Sequence, residues 1–273
     1  MAISLTPVGN AVKINSASGV TVEVTLTAAV PAGKVLLLAC YATSVVTVTA
    51  VTDDRANSYT ILTGANTGQG TGYWVHAPVT TGLSAGQKVT ATFSGTAARR
   101  IVCAFLVDGA APSYIDAQGS SAASGTGTNP SVSTGPQAQA GETVLTWLYV
   151  TSPLVTITEA SGWTTQDEAV VENRKFHVAS KEMATTSADT YAPTISASQG
   201  WSANWIALKQ ATASGYTLTA ATSSLTLTGQ AATLRYSGGQ GWQPVPSTPE
   251  TWTQKAGKSE IWTPVGDTPE IWS

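Results

Sequence analysis

The chain has 273 residues, of which 42% are hydrophobic and only 11% charged, with a net charge of −3. The charged share is well below the roughly 25% usual for a globular domain, and Lys and Arg form no cluster beyond Arg99-Arg100, which excludes nucleic acid as a partner because binding it needs a basic footprint. No apolar run approaches the ~20 residues of a membrane span, and the opening MAISLTPVGN lacks the charged and apolar segments of a secretory signal.

Along the chain, apolar residues alternate with polar ones at a period of two, in short segments bounded by Gly, Pro, Asn and Asp. That pattern predicts half-buried strands over Val20-Thr27, Val46-Val51, Lys88-Phe93 and Leu154-Thr158. Continuously apolar stretches at Val35-Tyr41, Ile101-Val107 and Thr143-Val150 read as central strands covered on both faces. Cys40 and Cys103 lie inside such runs and read as buried free thiols, with a bridge between neighbouring strands as the alternative. Asp53, Asp54 and Asn57 lack the oxygen-rich series of a calcium loop and read as a side-chain-stabilised turn.

The chain echoes itself. GKVLLLACYATS (33–44) returns as GETVLTWLYVTS (141–152), each followed by a Thr/Val strand, an aromatic-Thr pair, an aromatic strand and a closing apolar strand. Residues 33–110 and 141–209 are therefore two similar halves of a sandwich spanning 1–210. The Gly/Ser/Thr-rich stretch 118–139 reads as a surface loop joining them. Two separate small domains are the alternative, although ~75 residues make a thin core. Tyr216-Ala220, Leu225-Thr228 and Ala232-Tyr236 then read as a hairpin or three-stranded ribbon within 211–238, too small to stand alone and predicted to pair with the sandwich edge or another chain.

The last segment, 239–273, is a ten-residue repeat. Trp242, Trp252, Trp262 and Trp272 are spaced by ten, and Glu250, Glu260 and Glu270 each precede a tryptophan by two positions. Pro and Gly at this density exclude helix and favour extended segments separated by turns. Each indole covers roughly 150–250 Å² when buried, and a segment with few aliphatic residues cannot bury four of them by itself. These seven residues are the candidate subunit-docking set, with Glu and Trp on one face of an extended strand.

Candidates for chemistry are few. His76 and His177 fall at loosely equivalent places in the halves and read as partly exposed strand histidines, with no metal site. Asp108, Asp116, Glu159, Asp167, Glu168, Glu172 and Glu182 could supply a glycosidase pair, but the sequence pairs none of them. No nucleophile elbow or phosphate-cradling loop is present. The reading is a non-enzyme without cofactor. Of Trp74, Trp147, Trp163, Trp201 and Trp205, at least three are expected in the core, and one or two forming a sugar-stacking platform is the alternative.

The succession VTVTAVTDDRANSYT, GQKVTATFSG, RRIVCAFLVDGA and GWSANWIALK resembles jelly-roll, lectin-like sandwich domains of phage and bacterial proteins. YTLTAATSSLTLTGQAATLRYSG resembles a short β module near the C-termini of tailed-bacteriophage structural proteins, and IWTPVGDTPEIWS resembles repeats that end some phage minor virion proteins. The resemblance implies an all-β protein: a jelly-roll-like two-sheet sandwich, a C-terminal β ribbon and an extended Trp-repeat tail. It further implies a homo-oligomeric accessory protein of the virion, tail-associated and docked to other virion proteins. A capsid decoration or head fibre is an alternative, as is a host-attachment module that binds a surface glycan.

Overall fold

The computed structural model describes residues 2–14, 19–66, 69–118, 123–171 and 173–211, together with the strands Ser224–Thr226, Thr251–Gln254 and Trp262–Pro264. The described residues contain strands and no helix, as the period-two pattern predicts. The chain divides into two compact units, 1–211 and 212–273.

The first unit is one eight-strand plan used twice. In the first half the strands are β1 (Ser4–Ile14), β2 (Thr21–Thr25), β3 (Val35–Ala42), β4 (Val48–Asp53), β5 (Thr60–Ile61) with β6 (Ala65–Asn66), β7 (Thr71–Pro78), β8 (Lys88–Phe93) and β9 (Arg99–Asp108). They form a large sheet, β1-β9-β3-β7-β5, and a small one, β2-β8-β4. The second half supplies β10 (Ala110–Gln118) with β11 (Ala123–Gly127), β12 (Val132–Ser133), β13 (Glu142–Val150), β14 (Ile157–Thr158), β15 (Thr164–Val171), β16 (Arg174–Met183), β17 (Thr190–Tyr191) with β18 (Thr194–Ile195), and β19 (Gln199–Gln210). Its large sheet, β10-β19-β13-β16-β15, repeats the order, and β12-β17 with β14-β18 stand where the small sheet stands in the first half. In both halves the first, last, third and sixth strands lie side by side, while the second, seventh and fourth make the facing layer. This is a jelly-roll-like order, and it closes a two-sheet sandwich in each half.

Side-chain alternation decides how the sandwiches stack. On β3, Leu36, Leu38, Cys40 and Ala42 face the small sheet of their own half, while Val35, Leu37, Ala39 and Tyr41 face the other half. On β13, Val144, Leu148 and Val150 face their own small sheets, and Leu145, Trp147 and Tyr149 face the first half. The two large sheets thus pack against each other, giving four layers and three cores. Both inner sheets are covered on both faces, which is why β3 and β13 are buried at every position and read as unbroken apolar runs. Echoed positions meet across the middle core: Tyr41 stacks on Tyr149 with ring centroids 4.3 Å apart and planes at 22°. Equivalent faces meeting in this way is the logic of an isologous interface within one chain. A half too thin for an independent core is completed by its twin.

The crossing between the halves lies at Gly109, not in the stretch 118–139. Gly109 has φ +76°, and a Cβ there would overlap the carbonyl oxygen of Ala2, so glycine carries the chain from β9 to β10 with no loop. β11 and β12 fall inside the expected linker, and β11 pairs with β19 from Ala123↔Ala203 to Gly127↔Gln199. Its small residues have a packing reason, because a Cβ on Gly125 would already stand 3.0 Å from the Trp201 ring. Small residues chosen to lie across an indole look, in sequence, like a flexible loop.

The second unit contains a three-stranded antiparallel sheet in the order β20 (Ser224–Thr226), β21 (Thr251–Gln254) and β22 (Trp262–Pro264). Leu225 pairs with Trp252, and Trp252 in turn with Pro264. The strand Ser224–Thr226 of the ribbon is thus partnered by a strand of the Trp repeat of the same chain.

Candidate functional site

The docking residues expected from the repeat are only partly placed. Trp252 lies in β21 and Trp262 in β22, where Trp262 is in register with Gln254 and Thr253 with Thr263. Consecutive repeat units thus supply consecutive antiparallel strands. Trp242, Trp272, Glu250, Glu260 and Glu270 lie outside the described residues, as do Tyr216-Ala220 and Ala232-Tyr236.

In the first unit, a charged polar cluster centres on His177. It is 2% exposed, projects from β16 toward the small sheets of the second half, and is held at both ring nitrogens. Nε2 lies 2.6 Å from Glu159 Oε1 and Nδ1 lies 3.3 Å from Glu168 Oε2. Glu168 is the cross-strand partner of His177 on β15, whereas Glu159 arrives from the corner after β14. Thr165 donates to Glu159 at 2.8 Å, and Lys175 Nζ pairs with Glu168 at 2.9 Å. Burial disfavours the imidazolium, but the hydrogen bonds and charges of the two glutamates outweigh it and hold the His177 pKa above its ordinary value. The His177 contact, against the opposing effect of burial and with help from Lys175, draws Glu168 down to about 2. Burial pushes the Glu159 carboxyl up, yet its bonds to His177 and Thr165 leave it below the usual range. This is a charged clasp across three elements, with both imidazole nitrogens committed.

The two histidines do not match each other as the sequence suggests. His76 is partly exposed and pairs with Leu37, whose echo is Leu145, whereas His177 pairs with Leu148. The offset is odd, so the side chains leave opposite faces of the repeated sheet. His76 faces the middle core, where its Nδ1 lies 2.5 Å from the Tyr114 hydroxyl, and burial lowers its pKa. The expected partly exposed histidine holds for His76 alone; His177 is buried, met by Glu168 from the neighbouring strand and by Glu159 from the corner after β14.

The Asp53 turn is a part-buried knot around the buried Asn57. Asp53 Oδ1 accepts from the Arg55 N–H at 2.7 Å, and Oδ2 accepts from Asn57 Nδ2 at 2.9 Å and the Tyr59 hydroxyl at 2.8 Å. Asn57, 6% exposed, accepts from the N–H groups of Thr80 and Thr81 at 2.9 Å each. Burial would raise the Asp53 pKa, but these donors outweigh it and lower it. All these oxygens serve the fold, as a stabilised turn requires.

The remaining candidates settle into packing. Trp74, Trp147, Trp163, Trp201 and Trp205 are all buried, between 0% and 8% exposed, leaving none of the five as a stacking platform. Cys40 and Cys103 are free. They sit on adjacent strands but face different cores, so a bridge between them is sterically closed. Burial pushes the Cys40 thiol up to about 12 and the Cys103 thiol well above its usual value. Among the described residues, no three His, Cys, Asp or Glu side chains are arranged to hold a metal ion. A depression of about 250 Å³ beside Met183 has its charged groups already joined, Lys181 to Asp189 at 2.7 Å.

Sequence reasoning missed the His177 clasp and a second carboxyl pair, Asp116 with Glu142. The signal for the first is the strand parity that sets Glu168 opposite His177; nothing local announces Glu159. The second was hidden because Glu142 reads as the polar start of an apolar strand, and its partner lies on β10, inside a strand absent from the sequence reading. Against known proteins, the chain matches no family model, no curated protein and no solved structure.

Proposed function

We propose that this chain is a non-enzymatic accessory structural protein of a tailed-phage particle. In this reading the double sandwich is displayed on the surface of the virion, associated with the tail. The ribbon and Trp repeat anchor it to other virion proteins and to copies of itself. The observation that carries the reading is the contrast between the units. The first keeps all five of its tryptophans inside, while the second spends four tryptophans at ten-residue intervals on a segment with too few aliphatic residues to cover them. The phage resemblance of the ribbon and repeat supports the same reading. Burial of the five sandwich tryptophans counts against the glycan-binding alternative.

Deleting residues 239–273 tests the anchor. The truncated protein is expected to keep its β-sheet circular dichroism and to be missing from assembled particles. Normal incorporation of the truncated protein would overturn the proposal. A particle map decides between tail and capsid decoration or head fibre by the symmetry axis on which the chain sits.

A further inference from the structure

The last three residues of the first unit are tied down one by one. The Ala211 N–H donates to the Gly109 carbonyl at 2.7 Å, the Gln210 carbonyl accepts from Gln139 Nε2 at 3.2 Å, and Lys209 Nζ lies 3.0 Å from Asp116 Oδ1. The loop that supplies Gln139 is held in turn by two carboxyl groups. Ala138 N–H donates to Asp116 Oδ2 at 2.8 Å, and Gln139 N–H donates to Glu142 Oε1 at 3.1 Å.

Glu142 is 0% exposed. Its second oxygen, Oε2, is buried with no N–H or O–H donor directed at it, and its neighbour is the Asp116 carboxyl. Two carboxylates side by side away from water do not both stay ionised. A proton on Glu142 removes one of the charges and gives Oε2 a hydrogen to donate to Asp116. Asp116 is the natural holder of the remaining charge, because Lys209 and the Ala138 N–H already serve it.

We propose that Asp116 and Glu142 share one proton and so form a latch on the root of the C-terminal arm, closed while the proton is present and loosened when it leaves. The charged surroundings fit. From β10 comes Asp116, from β19 Lys209, and from the preceding loop the uncharged Gln139. From β16 come Met183, in register with Glu142, and Lys181, which is engaged with Asp189. Lys209 is thus the cation serving the pair, and it is already bonded to Asp116. Burial, then the Asp116 hydrogen bond and charge, raise Glu142 to about 7. Because this lies above the ordinary glutamate value, the closed form is complete in mildly acidic solution and is lost as pH rises through about 7. Ionisation then sets two carboxylates in competition for Lys209 and weakens the seating of loop 138–139 and, through Gln139, of Gln210. The latch involves residues of the first unit only, so it stands or falls independently of what the arm docks onto.

The full-length protein tests this in two ways. Carboxyl ¹³C NMR titration of the wild type is expected to place the Glu142 midpoint near 7, and a midpoint below 5 would overturn the latch. Hydrogen exchange of Ala138, Gln139 and Ala211, corrected for intrinsic rate, is expected to show protection falling about tenfold between pH 6 and 8. Glu142→Gln, which keeps a donor at Oε2 without charge, should abolish that slope; an unchanged slope in it would also overturn the proposal. Asp116→Asn covers the case in which Glu142→Gln does not fold: the Glu142 midpoint should drop, and a midpoint unmoved from wild type would refute sharing.

Discussion

His177 stands between two carboxylates with 2% of its surface exposed, so removing it leaves the part-buried Glu159 carboxylate without its charged partner, while Glu168 keeps Lys175. His177→Ala is expected to cost about 1.5–3 kcal/mol, in the range for hydrogen bonds to charged groups, as read by urea denaturation. Asn57 is the other residue on which much converges, since its side chain receives two backbone N–H groups and reaches both Asp53 and the Thr81 carbonyl. Asn57→Ala leaves those part-buried groups unpaired and is expected to cost about 1–3 kcal/mol. A loss under about 0.5 kcal/mol would mean that water replaces the amide. The turn around Asn57 was legible in sequence because its polar residues are adjacent. The clasp was not, because Glu159 and His177 are eighteen positions apart and nothing local links them.

At the scale of elements, the inner strands were the easiest to read and the edge strands the hardest. β3, β9, β13 and β19 carry long apolar runs because both faces are covered, and such runs admit few other interpretations in a chain without helical periodicity. β1 holds Pro7 and Gly9 with a register shift between them, and β11 is made of Ala, Ser, Gly and Thr. An edge strand needs backbone pairing on one side only, and there Pro, Gly and bulges are tolerated, so composition points to loop while hydrogen bonding makes a strand. The close approach of the halves has its own test. Gly72 lies against the Trp147 indole, and a Cβ there would overlap the ring. Gly72→Ala is expected to lower stability by about 1–3 kcal/mol through overpacking, as measured by thermal melting, whereas Gly33→Ala, at an open turn with φ +82° and no atom within 4 Å, should cost only the backbone strain.

For the whole molecule, the shared middle core predicts cooperative unfolding: the two halves should melt in a single transition, since neither retains a covered large sheet once the other is gone. Two resolved calorimetric transitions within residues 1–211 would contradict this coupling. Stability should also depend on pH on both sides of an optimum. The lowered pKa values of Glu168, Glu159 and Asp53 give stabilisation that is present above the ordinary carboxylate range and lost as pH falls toward about 2 for Glu168. The raised His177 pKa gives stabilisation complete below its ordinary value and lost as pH rises through the folded one. The raised Glu142 pKa likewise favours the folded state less as pH climbs from the ordinary glutamate value to about 7. Melting temperature is therefore expected to peak near roughly pH 5 and to decline into alkaline solution, with His177→Gln flattening the alkaline limb.

The sequence by itself determined the all-β class, the inner strands, the internal echo and the ten-residue tryptophan repeat, because each is written in local periodicity that needs no partner to be seen. Tertiary structure alone decided that the echo means two sandwiches stacked through equivalent faces. It also decided that the boundary between them is a single glycine, and that the ribbon strand pairs with the repeat. Above all, it brought His177 to Glu159 and Glu142 to Asp116. Such meetings depend on which strands become neighbours and which way their side chains point, and both are fixed only when the apolar faces find each other.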